Sequence, residues 1–113
     1  MQIRTKTEEA LRIISVQEER IDAAVALEFK DAIRVETDGG TDTVVLDLSM
    51  VKFIDSSGLG AIVAAMKNLG AGRKMALAGL TPTVERVFQL TRMDTVFSVF
   101  STVDGALAEL QHH

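Results

Sequence analysis

The 113 residues include no cysteine, which removes disulfides, thiol nucleophiles, thiolate metal sites and redox switching together. The only histidines, His112 and His113, are the last two residues; they have the form of an affinity-tag remnant and are set aside from functional reasoning. Without them, Ser-His-Asp and Cys-His catalysis and every histidine metal site drop out. One proline and eight glycines are too few for a collagen-like or low-complexity chain. There is no run of about 18 apolar residues, the length a membrane helix needs. The opening residues, with Gln2, Arg4 and Lys6, do not form a charged-then-apolar leader, so neither membrane nor secretion is expected and the cytoplasm is the expected location.

What is present is ordinary for a packed domain: 47% hydrophobic and 25% charged residues, which fits one domain over residues 1–113. The formal net charge is -4 and no basic stripe occurs, so nucleic acid is excluded as the main partner. Charge is nevertheless uneven. Residues 1–55 carry twelve acids and seven bases, whereas between residues 56 and 93 Lys67, Arg73, Lys74, Arg86 and Arg92 face Glu85 alone. Such a distribution reads either as a solvated surface or as a patch attracting an acidic partner.

Residues 11–16 are rich in β-branched side chains and predict a strand, with residues 3–6 as a short partner and Glu8 and Glu9 at the turn. Val25, Phe29, Ala32 and Ile33 recur at helical spacing over residues 23–35, with Asp22 as N-cap and a stop at residues 38–40. Residues 43–48 form a nearly continuous apolar run, the pattern of a strand covered on both faces, with Asp47 as its anomaly. A helix is expected over residues 57–69, ending near Gly70 and Gly72, and then a strand over residues 74–78. Thr81-Pro82 starts another helix, with a hydroxyl at the cap and proline at the first position. Residues 96–100 read as the last strand, and residues 101–104 have capping-box form before a final helix through Val103, Ala106, Leu107 and Leu110. The alternation implies an α/β class with a largely parallel sheet of about four to five strands and about four helices. Phe29, Val45, Leu48, Ile62, Leu77, Phe88 and Leu107 are the expected core.

The unusual segment is Phe53-Ile54-Asp55-Ser56-Ser57-Gly58-Leu59-Gly60, between a buried strand and a helix. Asp55 and the two hydroxyls suit a helix cap, and the glycines let another backbone or a ligand approach. A plain capped helix accounts for this much. A dinucleotide fingerprint fails because the third glycine position is Val63 and no acid ends the next strand. A receiver phosphoacceptor reading of Asp47 lacks the lysine that must follow Lys74, leaving Asp47 a structural or interface acid, and an esterase elbow lacks both its pattern and a histidine. No phosphate-cradling lysine loop supports a nucleotide binder, and no cofactor is called for. What remains is a hydroxyl that receives chemistry. A phosphoryl group on Ser56 would add about -1.5 to -2 charge beside a helix N-terminus, and its effect would fall on any partner docking there.

On Val44-Val-Leu-Asp-Leu-Ser49, on Val51-Lys-Phe-Ile-Asp-Ser-Ser-Gly-Leu-Gly60 and on Leu80-Thr-Pro-Thr-Val-Glu-Arg-Val-Phe88, the chain resembles the STAS domain family, and within it the bacterial anti-sigma factor antagonists. The resemblance implies a single STAS domain that is not an enzyme. It implies Ser56 as the residue phosphorylated by a partner that is both an anti-sigma factor and a Ser/Thr kinase of histidine-kinase-like ATPase fold. The unphosphorylated form would bind that partner and free its sigma factor, and a PP2C-type phosphatase would reset the switch. The family's Gly-x-Leu-Asp is here Glu19-Arg20-Ile21-Asp22, keeping the aspartate and replacing the glycine. The docking surface is expected at Asp22, Asp55, Ser57, Gly58, Leu59, Gly60 and Val63, on a monomer or weak dimer. The competing expectation is a constitutive STAS scaffold in a larger, stressosome-like assembly, and a nucleotide-binding STAS domain is a third.

Overall fold

The computed structural model describes residues 1–39 and 43–111; the residue Gly40 of the expected helix stop, and His112 and His113, lie outside them. The chain opens with a hairpin, β1 (Ile3–Glu8) and β2 (Leu11–Val16), paired antiparallel so that Ile3 meets Val16 and Glu8 meets Leu11. β2 pairs in parallel with β4 (Thr43–Asp47), β4 with β6 (Lys74–Ala78), and β6 with β7 (Ser98–Phe100). The result is a five-stranded, mostly parallel sheet ordered β1-β2-β4-β6-β7. A second, two-stranded parallel sheet joins β3 (Arg20–Ile21) to β5 (Phe53–Ile54). The helices are α1 (Ala26–Thr37), α2 (Ser56–Asn68), α3 (Pro82–Leu90) and α4 (Val103–Leu110). Among the described residues no helix is long and apolar enough to cross a membrane.

Alternation along the strands sorts the core into two layers. Val44 and Leu46 of β4 and Met75 and Leu77 of β6 turn toward Phe29 and Ile33 of α1, Ala61, Ile62 and Ala65 of α2, and Val84 and Phe88 of α3. Val45, Ala76 and Ala78 turn the other way, toward Ala106 of α4. That explains the continuous apolar runs in β4 and β6, since each face has its own cover. Phe88 closes the larger layer edge-to-face on Phe97, with centroids 5.9 Å apart.

Several expectations shift. α1 begins at Ala26, so Asp22 does not cap it; its Oδ1 accepts from the Ala24 N–H (3.1 Å) and shapes the turn before the helix. β1 runs to Glu8 instead of stopping at residue 6, and the turn falls on Glu9 and Ala10, with Glu9 at φ +53°. α2 starts one residue early, at Ser56. β7 has three residues, because residues 93–95 coil into a 3-10 turn that leaves Val96 outside the sheet. α4 is capped by Thr102, whose Oγ1 accepts from Gly105 N–H (3.0 Å), and not by a box on Ser101. The Thr81 hydroxyl makes no cap bond; it donates to the Val51 carbonyl (2.8 Å), tying α3 to the segment before β5. Of the expected core only Leu107 is half-buried, since α4 alone covers that face; the other six are fully buried.

Candidate functional site

The two-residue strands β3 and β5 register Arg20 on Phe53 and Ile21 on Ile54. The chain therefore leaves them side by side, at Asp22 and at Asp55. Ile21 and Ile54 are buried in the main core, which fixes both exits against the body of the domain. The backbone supports the pair from below, where the N–H groups of Lys52 and Phe53 donate to the Glu19 carbonyl (2.7 and 3.1 Å).

Asp55 is the keystone of this corner. It is the N-cap of α2, with Oδ1 accepting from the Gly58 N–H at 2.9 Å, while Oδ2 accepts from the Ala23 N–H at 3.1 Å. One carboxylate thus holds both the first turn of α2 and the turn that follows β3. The Gly58 N–H is the main reason its carboxyl titrates below the ordinary aspartate value; partial burial opposes this and the Ala23 N–H adds to it. Of the three side chains suited to the cap, Asp55 is the one that makes it.

Gly58 and Gly60, two residues apart, do different things. A Cβ on Gly58 would stand 1.9 Å from the Ile21 carbonyl oxygen and 2.9 Å from Ile54 Cγ1. The backbone that approaches this glycine is therefore the chain's own, and α2 can seat against β3 only because position 58 has no side chain. A Cβ on Gly60 would meet nothing within 4 Å beyond its own helix, and the residue faces solvent.

Ser56 and Ser57 occupy the first two positions of α2, and both are exposed. Leu59 and Val63 are half-buried and pack partly against the main core, so they contribute a low apolar shoulder to this surface. Asp22 is half-buried and close in the fold, through β3 and the Asp55–Ala23 bond. Asp22, Asp55, Ser56, Ser57 and Gly60 thus lie around one corner, with Gly58 buried beneath it.

Two neighbours escaped sequence reasoning. The Arg20 guanidinium lies 4.9 Å over the Phe53 ring, and its Nε is 3.4 Å from Asp22 Oδ2. Phe53 itself stays 40% exposed, so a stacked cation and an aromatic edge lie beside the serines. No sequence signal marks their contact, because it follows from the register of β3 on β5 and two-residue strands have no periodicity to read. Glu19, in place of the family glycine, pairs with Lys52 at 3.2 Å, with both side chains largely exposed. Asp47 lies apart, at the end of β4, where it accepts from the Ser15 hydroxyl (3.1 Å) and the Ser49 N–H (3.0 Å). It fastens the strand end, which fits the structural reading of that residue.

A family model described as the STAS domain matches residues 2–106. A candidate anti-sigma factor antagonist of Thermotoga neapolitana is 37% identical over 73 residues, which span 64% of this chain and 65%, just under two thirds, of that relative. The anti-sigma-F factor antagonist RsfB of Mycobacterium tuberculosis is 30% identical over 87 residues, covering 77% of this chain and 71% of its own. The crystal structure of an anti-sigma factor antagonist from Mycobacterium paratuberculosis superposes with a TM-score of 0.87 at 26% identity, over 97% of this chain and 93% of that one.

Proposed function

The chain belongs to the STAS domain family, and from that premise we propose that it is an anti-sigma factor antagonist switched by phosphorylation of Ser56. In the unmodified form the corner built from Asp22, Asp55, Ser57, Leu59, Gly60 and Val63 docks on an anti-sigma factor and frees its sigma factor. The docked partner, of histidine-kinase-like ATPase fold, transfers a phosphoryl group from ATP to the Ser56 hydroxyl, and a PP2C-type phosphatase removes it. The chain catalyses nothing in this cycle. The names of its relatives support the antagonist part of this reading.

The observation that carries the switch is that Ser56 is an exposed hydroxyl at the first position of a helix whose cap is another residue's carboxylate. Because Asp55 already satisfies the Gly58 N–H, the serine is not required for folding and can be modified without unfolding α2. The partial positive charge of the α2 N-terminus tolerates an added dianion there. The dianion nevertheless joins Asp55 and Asp22 on one corner, so the surface changes from weakly to strongly negative. A partner that fitted closely or presented acids would then be expelled by bulk and like charge.

Binding of the purified chain to the anti-sigma factor encoded in its own genome tests this by calorimetry. Ser56→Ala should bind as tightly as the unmodified protein and resist release by ATP. Ser56→Glu should bind at least about tenfold more weakly, a loss of about 1.4 kcal/mol. Equal affinity for all three proteins would remove the switch and favour a constitutive scaffold.

A further inference from the structure

The bases noted between residues 56 and 93 bring a second surface into view, at the opposite end of α2. Met66 is ten residues beyond Ser56 on that helix, about 15 Å at the α-helical rise of 1.5 Å per residue. There a groove of about 310 Å³ opens between Met66, Arg73, Lys74, Met75, Val96 and Ser98. Its charged lining is cationic only, and exposed Lys67 follows Met66 at the helix end.

Two features mark it as more than a solvated rim. Val96 is 47% exposed in the groove wall. The only acid in residues 90–98 is Asp94. Cationic charge, apolar side chains and concavity therefore coincide beside β7, the last strand of the sheet.

We infer that the groove between the end of α2 and the start of β7 docks an acidic polypeptide segment anchored by an apolar side chain, independently of Ser56. Charge complementarity selects acids. The apolar wall of Met66 and Val96, floored by buried Met75, selects a leucine-sized anchor, and the concave shape beside a strand edge fits an extended chain better than a flat bilayer.

Titration of the ¹⁵N-labelled full chain tests this with a synthetic peptide alternating Glu or Asp with Leu, its lysine-for-acid counterpart, and phosphatidylglycerol vesicles. The acidic peptide should shift the amides of Met66, Lys67, Lys74, Met75, Val96 and Ser98 and bind more weakly as salt rises. Lys74→Glu, which reverses an exposed charge of the lining, should weaken it by about fivefold. The position is exposed, so the spectrum also reports an intact fold, and Val96→Ser alone should weaken binding through the anchor. Shifts confined to other residues, equal binding of the lysine peptide, or binding of vesicles without the acidic peptide would each overturn the inference.

Discussion

Adding one methyl group at Gly58 and at Gly60 should move stability in opposite directions. At position 58 the new Cβ would sit 1.9 Å from the Ile21 carbonyl oxygen and 2.7 Å from its carbon. To reach even the tight limit of 3.0 Å, the peptide or the helix must move by about 1.1 Å. No rotamer change can relieve this, because the obstacle is backbone. Ile21 is fully buried and Ile54 nearly so, so the shift propagates into the core. Overpacking of this kind costs up to about 3 kcal/mol, and the helix preference of alanine over glycine returns about 1 kcal/mol, leaving a net loss of about 2 kcal/mol. For a domain of this length that lowers Tm by about 8 °C. At position 60 the new Cβ would meet nothing within 4 Å beyond its own helix, so only the helix preference acts, and Gly60→Ala should raise Tm by about 2 to 4 °C. Thermal unfolding followed by circular dichroism reads both. A Gly58→Ala protein as stable as wild type, or stabilised like Gly60→Ala, would refute the close seating of α2 on β3.

Further outcomes follow from the same geometry. Because the folded carboxyl of Asp55 titrates below its ordinary value of 3.8, its contribution is fully present above that value and is lost as pH falls through the lower folded one. Urea unfolding from pH 6 to pH 3 should therefore show a shallower acid loss for Asp55→Asn than for wild type; identical slopes would contradict the assignment. Glu9→Gly should stabilise the hairpin by roughly 0.5 to 1 kcal/mol, since φ +53° is free of strain only for glycine, and chemical denaturation with an unchanged m-value checks it. Asp47→Ala should cost about 1 kcal/mol, chiefly by orphaning the half-buried Ser15 hydroxyl, since the exposed Ser49 N–H can turn to water, whereas Asp47→Asn, which keeps an acceptor, should cost less. Equal losses for the two would mean that charge, and not acceptance, matters at that position.

Much of this architecture could be read before any coordinates, and the reasons are local. β4 and β6 announce themselves because both faces are covered and every interior position is apolar. Pro82 and the Gly70 and Gly72 turns mark helix boundaries through backbone constraints that only those residues meet. The corner was legible through its motif only in outline: residue type and order gave a capped helix start near residue 57 with Asp55 and both serines suited to the cap, while the assignment of the cap to Asp55 and of Ser56 to the first helical position came from the fold. What escaped depends on contacts distant in sequence. β3 and β5 have two residues each and exist only because they pair with one another, so no pattern along the chain reveals them. The burial of Gly58 against Ile21 and the stacking of Arg20 on Phe53 follow from that pairing and escaped with it. The ends of α1 and β7 were misplaced for a related reason: Asp22 and Val96 obey local rules, but turns of three residues intervene before α1 and before β7.

The central claim is tested most directly on the tryptic peptide spanning residues 53–67, whose only hydroxyl side chains are Ser56 and Ser57. The protein would be isolated from its native cells in two growth states and phosphate located on that peptide by fragmentation. Phosphate on Ser56 whose occupancy differs between the states is the predicted result. A well-detected peptide without phosphate in either state, or with phosphate on Ser57 alone, would contradict the switch and leave Asp55, Ser56 and Ser57 as a capped corner with a docking role.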